Sequence, residues 1–437
     1  MTIRTLTTAA LAAGALVLAA GGAATASTHN TTSTGSTAPT PISDAQLTAR
    51  SITIGGASVL PTTRTIPHWH GSMTDPSNGV TYGYNMVGAN PHGCTGAACD
   101  VTIPVDITPI IVNIGGQTYN GNDVVKATLA SPQFTENDYG STTAATNDKF
   151  AKGDGGALSQ EDAGVPLQLQ DATMRAQFAQ NGASNSYHLR LKPVVHPSVT
   201  INVPQNQGGL ITRHGVIGAS IDVGWWSSQI NNLEQSADPT HLPLYLTDDV
   251  FLHTGKSLTD CCIIGYHGTR AVGNGGGSTH TQGNAAVQTF AWASYVRPGF
   301  YFHSDTGANW ALQDIHAVSH EIAEWADDPF VNNTVNPWVT PTAPQYGCTT
   351  DLETGDPVVS IGFAMGTNTF RQGANPDGSQ SADGYYHPED EALLPWFLRQ
   401  PSNHTGSEAN QKSPGGRYTL MGDLNPFPGF RAPATGC

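Results

Sequence analysis

Residues 309–329 read NWALQDIHAVSHEIAEWADDP, and the reading of the whole chain turns on this stretch. It carries His316, His320 and Glu324 at four-residue intervals, with Glu321 directly after the central histidine. In a helix, positions i, i+4 and i+8 fall on nearly one face. Ile315, Val318, Ile322 and Trp325 fill much of the remainder, as a buried helix requires. Asn309 is a fitting N-cap and Pro329 blocks continuation, so the spacing predicts a helix over 309–329. Histidine and glutamate in so apolar a segment cost burial energy unless they are paired or ligated.

That requirement points to a metal. A zinc hydrolase needs neutral histidine or anionic carboxylate ligands, an open position for water, and a base beside that water. The helical H-E-x-x-H motif supplies two ligands and the base at once. Here the motif is His320-Glu321-Ile322-Ala323-Glu324, with glutamate in place of the second histidine. Glutamate is a legitimate zinc ligand, but an added anion leaves less positive charge to acidify water. His316 with His320, and Glu324 third, is the alternative ligand set. A ligand from downstream is also needed, and Glu353-Thr-Gly-Asp356 offers two carboxylates; the same T-G-D run is equally good turn chemistry.

The surroundings suit an exported protein. Arg4, the Ala/Leu-rich run 11–20 and Ala24-Thr25-Ala26 make residues 1–26 a bacterial-type secretory signal, so the mature protein is expected outside the cell. Residues 27–60, rich in Ser and Thr, read as a linker or pro-segment. Only 12% of residues are charged and the formal net charge is −16, which argues against nucleic acid or membrane as a partner. The 6 cysteines suggest disulfides. Cys94 and Cys99 close a small loop; the adjacent Cys261 and Cys262 are expected to bond distant partners, with Cys348 and Cys437 as candidates. No C-x-x-C occurs, so a cysteine zinc site is a poor alternative.

Residues 61–210 read as a β-rich lobe, with alternating β-branched runs at 101–114 and 187–203 and a helix at 166–180. His68-Trp69-His70 places two histidines on one strand face, more in keeping with a strand edge than with a ligand pair. From 211 to 437 the order changes. A helix at 223–235, strands at 242–252, 261–266 and 287–296, and a Gly-rich loop at 274–283 lead into the ligand-bearing helix. The expected class is α+β: a zincin-like domain of mixed sheet plus active-site helix, with a β-rich N-terminal region.

Four motifs then occur in order. They are Cys261-Cys262-Ile263-Ile264-Gly265-Tyr266-His267-Gly268, the His320–Glu324 core with Asp328-Pro329, Trp338, and Glu353-x-x-Asp356. Together they resemble the phosphate-induced protein (exordium-like) family of secreted proteins, which is zincin-like in pattern. The resemblance covers 261–356; this chain departs from it in having Pro357 after the acidic pair and its cysteine upstream, at Cys348. Taken with the chemistry, it implies His320 and Glu324 as metal ligands, Glu321 as general base and Glu353 as third ligand. Asp356 is the second choice, or a partner orienting His320. His316 is a further alternative ligand or supporting residue. Tyr386 and His387 are candidate donors to a tetrahedral oxyanion, in a cluster that also suits a structural role.

The expected activity is a secreted zinc-dependent peptidase acting on protein or peptide. The family's association with cell walls supplies the rival, a non-catalytic protein bound to cell-wall polymer or carbohydrate. Glu321 and Glu324 lie one turn apart, ~5–6 Å at Cβ, which does not match carboxylates facing across a glycosidase cleft. No G-x-S-x-G elbow supports a serine esterase. The oligomeric state is not encoded in any of these features.

Overall fold

A computed structural model describes residues 52–54, 57–59, 63–139, 164–178, 186–213, 215–272, 286–300, 313–341, 348–359, 361–370, 384–401 and 418–420. The signal segment 1–26, the Gly-rich loop 274–283, Asn309 and Cys437 lie outside the described residues. Within the segment expected as linker, Ile52–Ile54 pairs antiparallel with Ala57–Val59. Both strands carry β-branched residues, and Gly55-Gly56 separates them in sequence.

The architecture is mixed α+β, built on a seven-stranded sheet. Its strands are β1 (Asp100–Ile114), β2 (Gln117–Asn120), β3 (His188–Val195), β4 (Val199–Asn202), β5 (Leu242–Asp248), β6 (Gly265–Val272) and β7 (Ala286–Tyr295). The path runs β4–β1–β5–β7–β6, with β2 and β3 also on β1. β3, β4 and β5 run parallel to β1, and β7 parallel to β5; β2 and β6 run antiparallel to their neighbours. The boundary expected at residue 210 therefore does not separate two sheets. β1, β3 and β4 come from before it, and β1 pairs directly with β5 from beyond it. A parallel partner must be reached by a long crossover, so local pattern could not reveal this pairing.

The helices are α1 (Asn122–Leu129), α2 (Leu169–Phe178), α3 (Val223–Leu233) and α4 (His316–Asp327). Asp222 caps α3, its carboxylate accepting from Trp225 N at 2.8 Å. α3 and α4 pack with opposite faces of the sheet. Leu244, Leu246, Ala291 and Ala293 share a core with Val318, Ile322 and Trp325 of α4. The alternate residues Tyr245, Phe290 and Trp292 share the other core with Trp226 and Ile230 of α3. This is the two-residue period of a strand covered on both faces.

Every residue of α4 is buried. Ile315, Val318 and Ile322 are fully covered, each contributing about 1.5–3 kcal/mol of apolar burial. The Trp325 indole N–H donates to Thr289 Oγ1 of β7 at 2.9 Å, fixing the helix to the sheet. The helix begins at His316; before it, Asp314 and Val296 exchange two backbone hydrogen bonds. At the other end the Asp328 amide closes on Glu324 O at 2.7 Å, and the Asp328 carboxylate accepts from the amides of Asn332 and Asn333.

Cys94 and Cys99 form the expected bond. Cys261 and Cys262 are paired with one another across a cis peptide bond, against the expectation of distant partners. Their strand, Cys261–Ile263, pairs with Val250–His253, whereas Cys348 begins a strand paired with Thr334–Val339 in a separate sheet. Cys348 is itself disulfide-bonded.

A candidate metal centre

The sheet face under α4 is shaped for polar groups. On β6, Gly265 and His267 point to the helix side while Tyr266 joins the opposite core. They lie opposite Ala293 and Ala291 on β7, so small side chains leave room for the helix's polar face. Gly265 is required by proximity: a Cβ there would stand 2.8 Å from Glu321 Cδ. On the far side, a Cβ on Gly355 would stand 2.8 Å from His320 Cγ. Two glycines thus bracket the helix's polar residues Glu321 and His320.

Between them lie two triads of ligand-type atoms, each within 4.8 Å of one another. One is His320, Glu324 and Asp356; the other is His267, Glu321 and Glu324. His320 Nε2 is 3.2 Å from Glu324 Oε1. His267 Nδ1 is 3.5 Å from Glu324 Oε2 and 3.7 Å from Glu321 Oε2. His320 Nε2, both His267 nitrogens, Glu321 Oε2 and Glu324 Oε2 are buried without a hydrogen-bond partner. Buried polar atoms are seldom left so. Zinc–ligand bonds of about 2.0–2.1 Å in a tetrahedron put neighbouring ligand atoms about 3.3–3.4 Å apart. The donor chemistry and spacing therefore fit a divalent cation.

The supporting bonds leave the right atoms free. His320 Nδ1 and Glu389 Oε2 are 2.7 Å apart; with Nδ1–H donating, the Nε2 lone pair faces the triad. Glu389 Oε2 is also 3.0 Å from His316 Nε2, and the Glu389 amide donates to Ser319 Oγ at 2.9 Å. The Gly355 amide donates to Glu324 Oε1 at 3.2 Å. His316 thus stands behind His320, sharing its carboxylate.

Electrostatics show the same excess of negative charge. Burial and the neighbouring carboxylate Glu324 push Glu353 and Asp356 well above the usual carboxylate range. Burial raises Glu321 to about 7 against the opposing pull of His267 and His320. Burial alone would raise Glu324 too, but the two histidines hold it below the usual range. For His267 and His320, burial favours the neutral ring, yet the facing glutamates lift both well above the ordinary imidazole value. Arginine ion pairs lie elsewhere: Arg64 with Asp238, Arg190 with Asp100 and Glu136, Arg297 with Asp249.

No family model, no curated protein and no solved structure matches this chain.

The residues named from sequence are distributed as follows. His320, Glu321 and Glu324 converge, and Asp356 rather than Glu353 completes a triad with His320 and Glu324. Glu353 is buried nearby with Oε2 unpartnered. Tyr386 and His387 are not brought into either triad. The Tyr386 hydroxyl donates to Ala127 O at 2.8 Å, and His387 Nδ1 pairs with Asp314 Oδ2 at 2.7 Å. His68 sits on a two-stranded sheet with Nδ1 at 3.0 Å from Ile66 O, while His70 is exposed.

Sequence reasoning gave no site role to His267 or Glu389. The signal for His267 was its placement between Gly265 and Gly268 on an alternating strand, which keeps bulk away from one face. The signal for Glu389 was an acidic run, Glu389-Asp390-Glu391, set directly against the apolar ALLPWF in a chain poor in charge.

Proposed function

We propose that this chain is a metal-dependent hydrolase, with zinc as the ion and a peptide as substrate, working outside the cell. The observation that carries the reading is the set of buried, unpartnered ligand atoms of His320, Glu324, His267 and Glu321 at coordination spacing. A mixed sheet with an antiparallel edge strand, crossed by a helix bearing H-E-x-x-E, supports a zincin-like form of that reading.

His320, Glu324 and Asp356 would hold the cation, and Glu389 would fix the imidazole tautomer. A bound zinc ion supplies Lewis acidity, polarising a carbonyl and lowering the pKa of water. With one cation bound at that triad, Glu321, which follows His320 on the helix, would be the proton acceptor. Gly265 lets that carboxylate lie against the sheet.

One observation favours a second reading. His320, Glu321 and Glu324 are at most 4% exposed, as in the closed sites of structural metals. That reading is a non-catalytic extracellular protein, bound to cell-wall polymer, with the cation as a staple. The test is peptide cleavage by the full chain, with and without chelator, beside Glu321→Gln. The hydrolase predicts cleavage that chelation abolishes, and a variant that keeps metal at the His320 triad but loses turnover. Bound metal with no cleavage of any peptide in a diverse library, in wild type or variant, would establish the staple.

A further inference from the structure

We propose that the centre holds two cations, with Glu324 bridging them and His267 and Glu321 completing the second position. This rests on the metal-centre reading above and changes one role in it. With the second position filled, Glu321 is a ligand rather than a free proton acceptor.

The geometry divides the ligands rather than pooling them. The two histidines fall in separate triads, and Glu324 is the shared member. Its carboxylate is split between them: Oε1 stands 3.2 Å from His320 Nε2, and Oε2 stands 3.5 Å from His267 Nδ1. A carboxylate offering one oxygen to each side is the arrangement of a bridged pair of ions about 3.5–4 Å apart. Each triad contributes one imidazole and two carboxylates, the donor set of a first-row divalent ion.

A second, independent observation is His267 itself. It is 1% exposed, and neither ring nitrogen has a hydrogen-bond partner. A buried imidazole whose Nδ1 faces two carboxylates without a hydrogen bond, and whose Nε2 has none either, is under-satisfied, and a cation at Nδ1 relieves that cost. Glu321 Oε2, 3.7 Å away, is unpartnered too. Charge points the same way. Glu321, Glu324, Glu353, Asp356 and Glu389 surround three histidines, and the described arginine ion pairs lie elsewhere. With these five carboxylates ionised and the histidines neutral, as ligation requires, one divalent ion leaves the cluster strongly negative in a low-dielectric interior, and a second brings it close to neutral.

The pair also has a structural logic. His320, Glu321 and Glu324 lie on one helix, His267 on the edge strand β6, and Asp356 on the segment beyond α4. Two ions sharing Glu324 would tie all three pieces together.

The experiment is Zn²⁺ titration of the chelator-stripped full chain, read by native mass spectrometry. Wild type is expected to saturate at two equivalents, and His267→Ala and His320→Ala at one each. Saturation of wild type at one equivalent overturns the bridged pair and leaves the metal centre standing. No bound equivalent overturns both. Should a variant fail to fold, the wild-type chain loaded with Mn²⁺ and read by electron paramagnetic resonance decides the matter alone. A spin-coupled spectrum is expected, and the six-line spectrum of isolated Mn²⁺ at saturation overturns the proposal.

Discussion

Gly355→Ala isolates the role of the site's geometry from that of its chemistry. Gly355 has φ −76° and ψ −40°, a conformation that alanine adopts freely, so the backbone does not resist the change. The added methyl would stand 2.5 Å from His320 Cε1 and press on Nδ1 as well, against about 3.5–4.0 Å for an ordinary carbon contact. The imidazole must therefore retreat by about 1.0–1.5 Å, several times the ~0.2 Å tolerance of a metal–ligand bond. The loss expected is that of a misplaced ligand, about 10–100-fold in Zn²⁺ affinity. That corresponds to roughly 1.4–2.8 kcal/mol. Overpacking of about 1–3 kcal/mol is partly offset by about 0.4–1 kcal/mol from a stiffer unfolded chain, so the metal-free variant remains folded. Isothermal titration of Zn²⁺ into the stripped protein reads the affinity, with circular dichroism as the fold check. Gly93→Ala is the control, since its methyl would meet nothing closer than 3.8 Å. A folded Gly355→Ala that binds Zn²⁺ as tightly as wild type would refute the placement of His320 as a ligand.

Three further outcomes follow from the same geometry. Glu389→Gln replaces the carboxylate 2.7 Å from His320 Nδ1 and should weaken Zn²⁺ binding about 10–100-fold while the fold persists, read by the same titration. In the metal-free protein, Glu321 and Asp328 are each raised to about 7, so their neutral forms stabilise the fold fully below the unfolded carboxyl value. That stability is lost as pH rises through about 7; thermal melts between pH 5 and 8 should fall with pH, and Glu321→Gln should flatten the fall. Thr289→Val strands the Trp325 indole N–H, now bonded at 2.9 Å, and should cost about 1–3 kcal/mol in denaturant unfolding, with Zn²⁺ stoichiometry unchanged.

The parts of this centre that sequence disclosed are those encoded by local period. The i, i+4 spacing of His320 and Glu324, the intervening Glu321 and the apolar remainder of the helix all follow from 3.6-residue geometry. The strand β1 was likewise legible from its β-branched run, and β5 and β7 from their apolar and aromatic residues. What period cannot carry is register between distant segments. His267 reaches Glu324 only because β6 pairs antiparallel with β7 so that Gly265 and His267 lie opposite Ala293 and Ala291. Asp356 joins the triad, whereas Glu353 does not, because of how the chain turns between them through Gly355. Both carboxylates sit in one short run, and only the fold separates their roles. The β1–β5 pairing across residue 210 is a parallel contact with no local signature.

The most direct test of the metal centre is X-ray absorption at the zinc edge on the zinc-loaded full chain. The account predicts a shell of nitrogen and oxygen donors at about 2.0–2.1 Å with the outer scattering of imidazole, diminished in His320→Ala. A sulfur shell near 2.3 Å, or a spectrum unchanged by loss of His320, would contradict it.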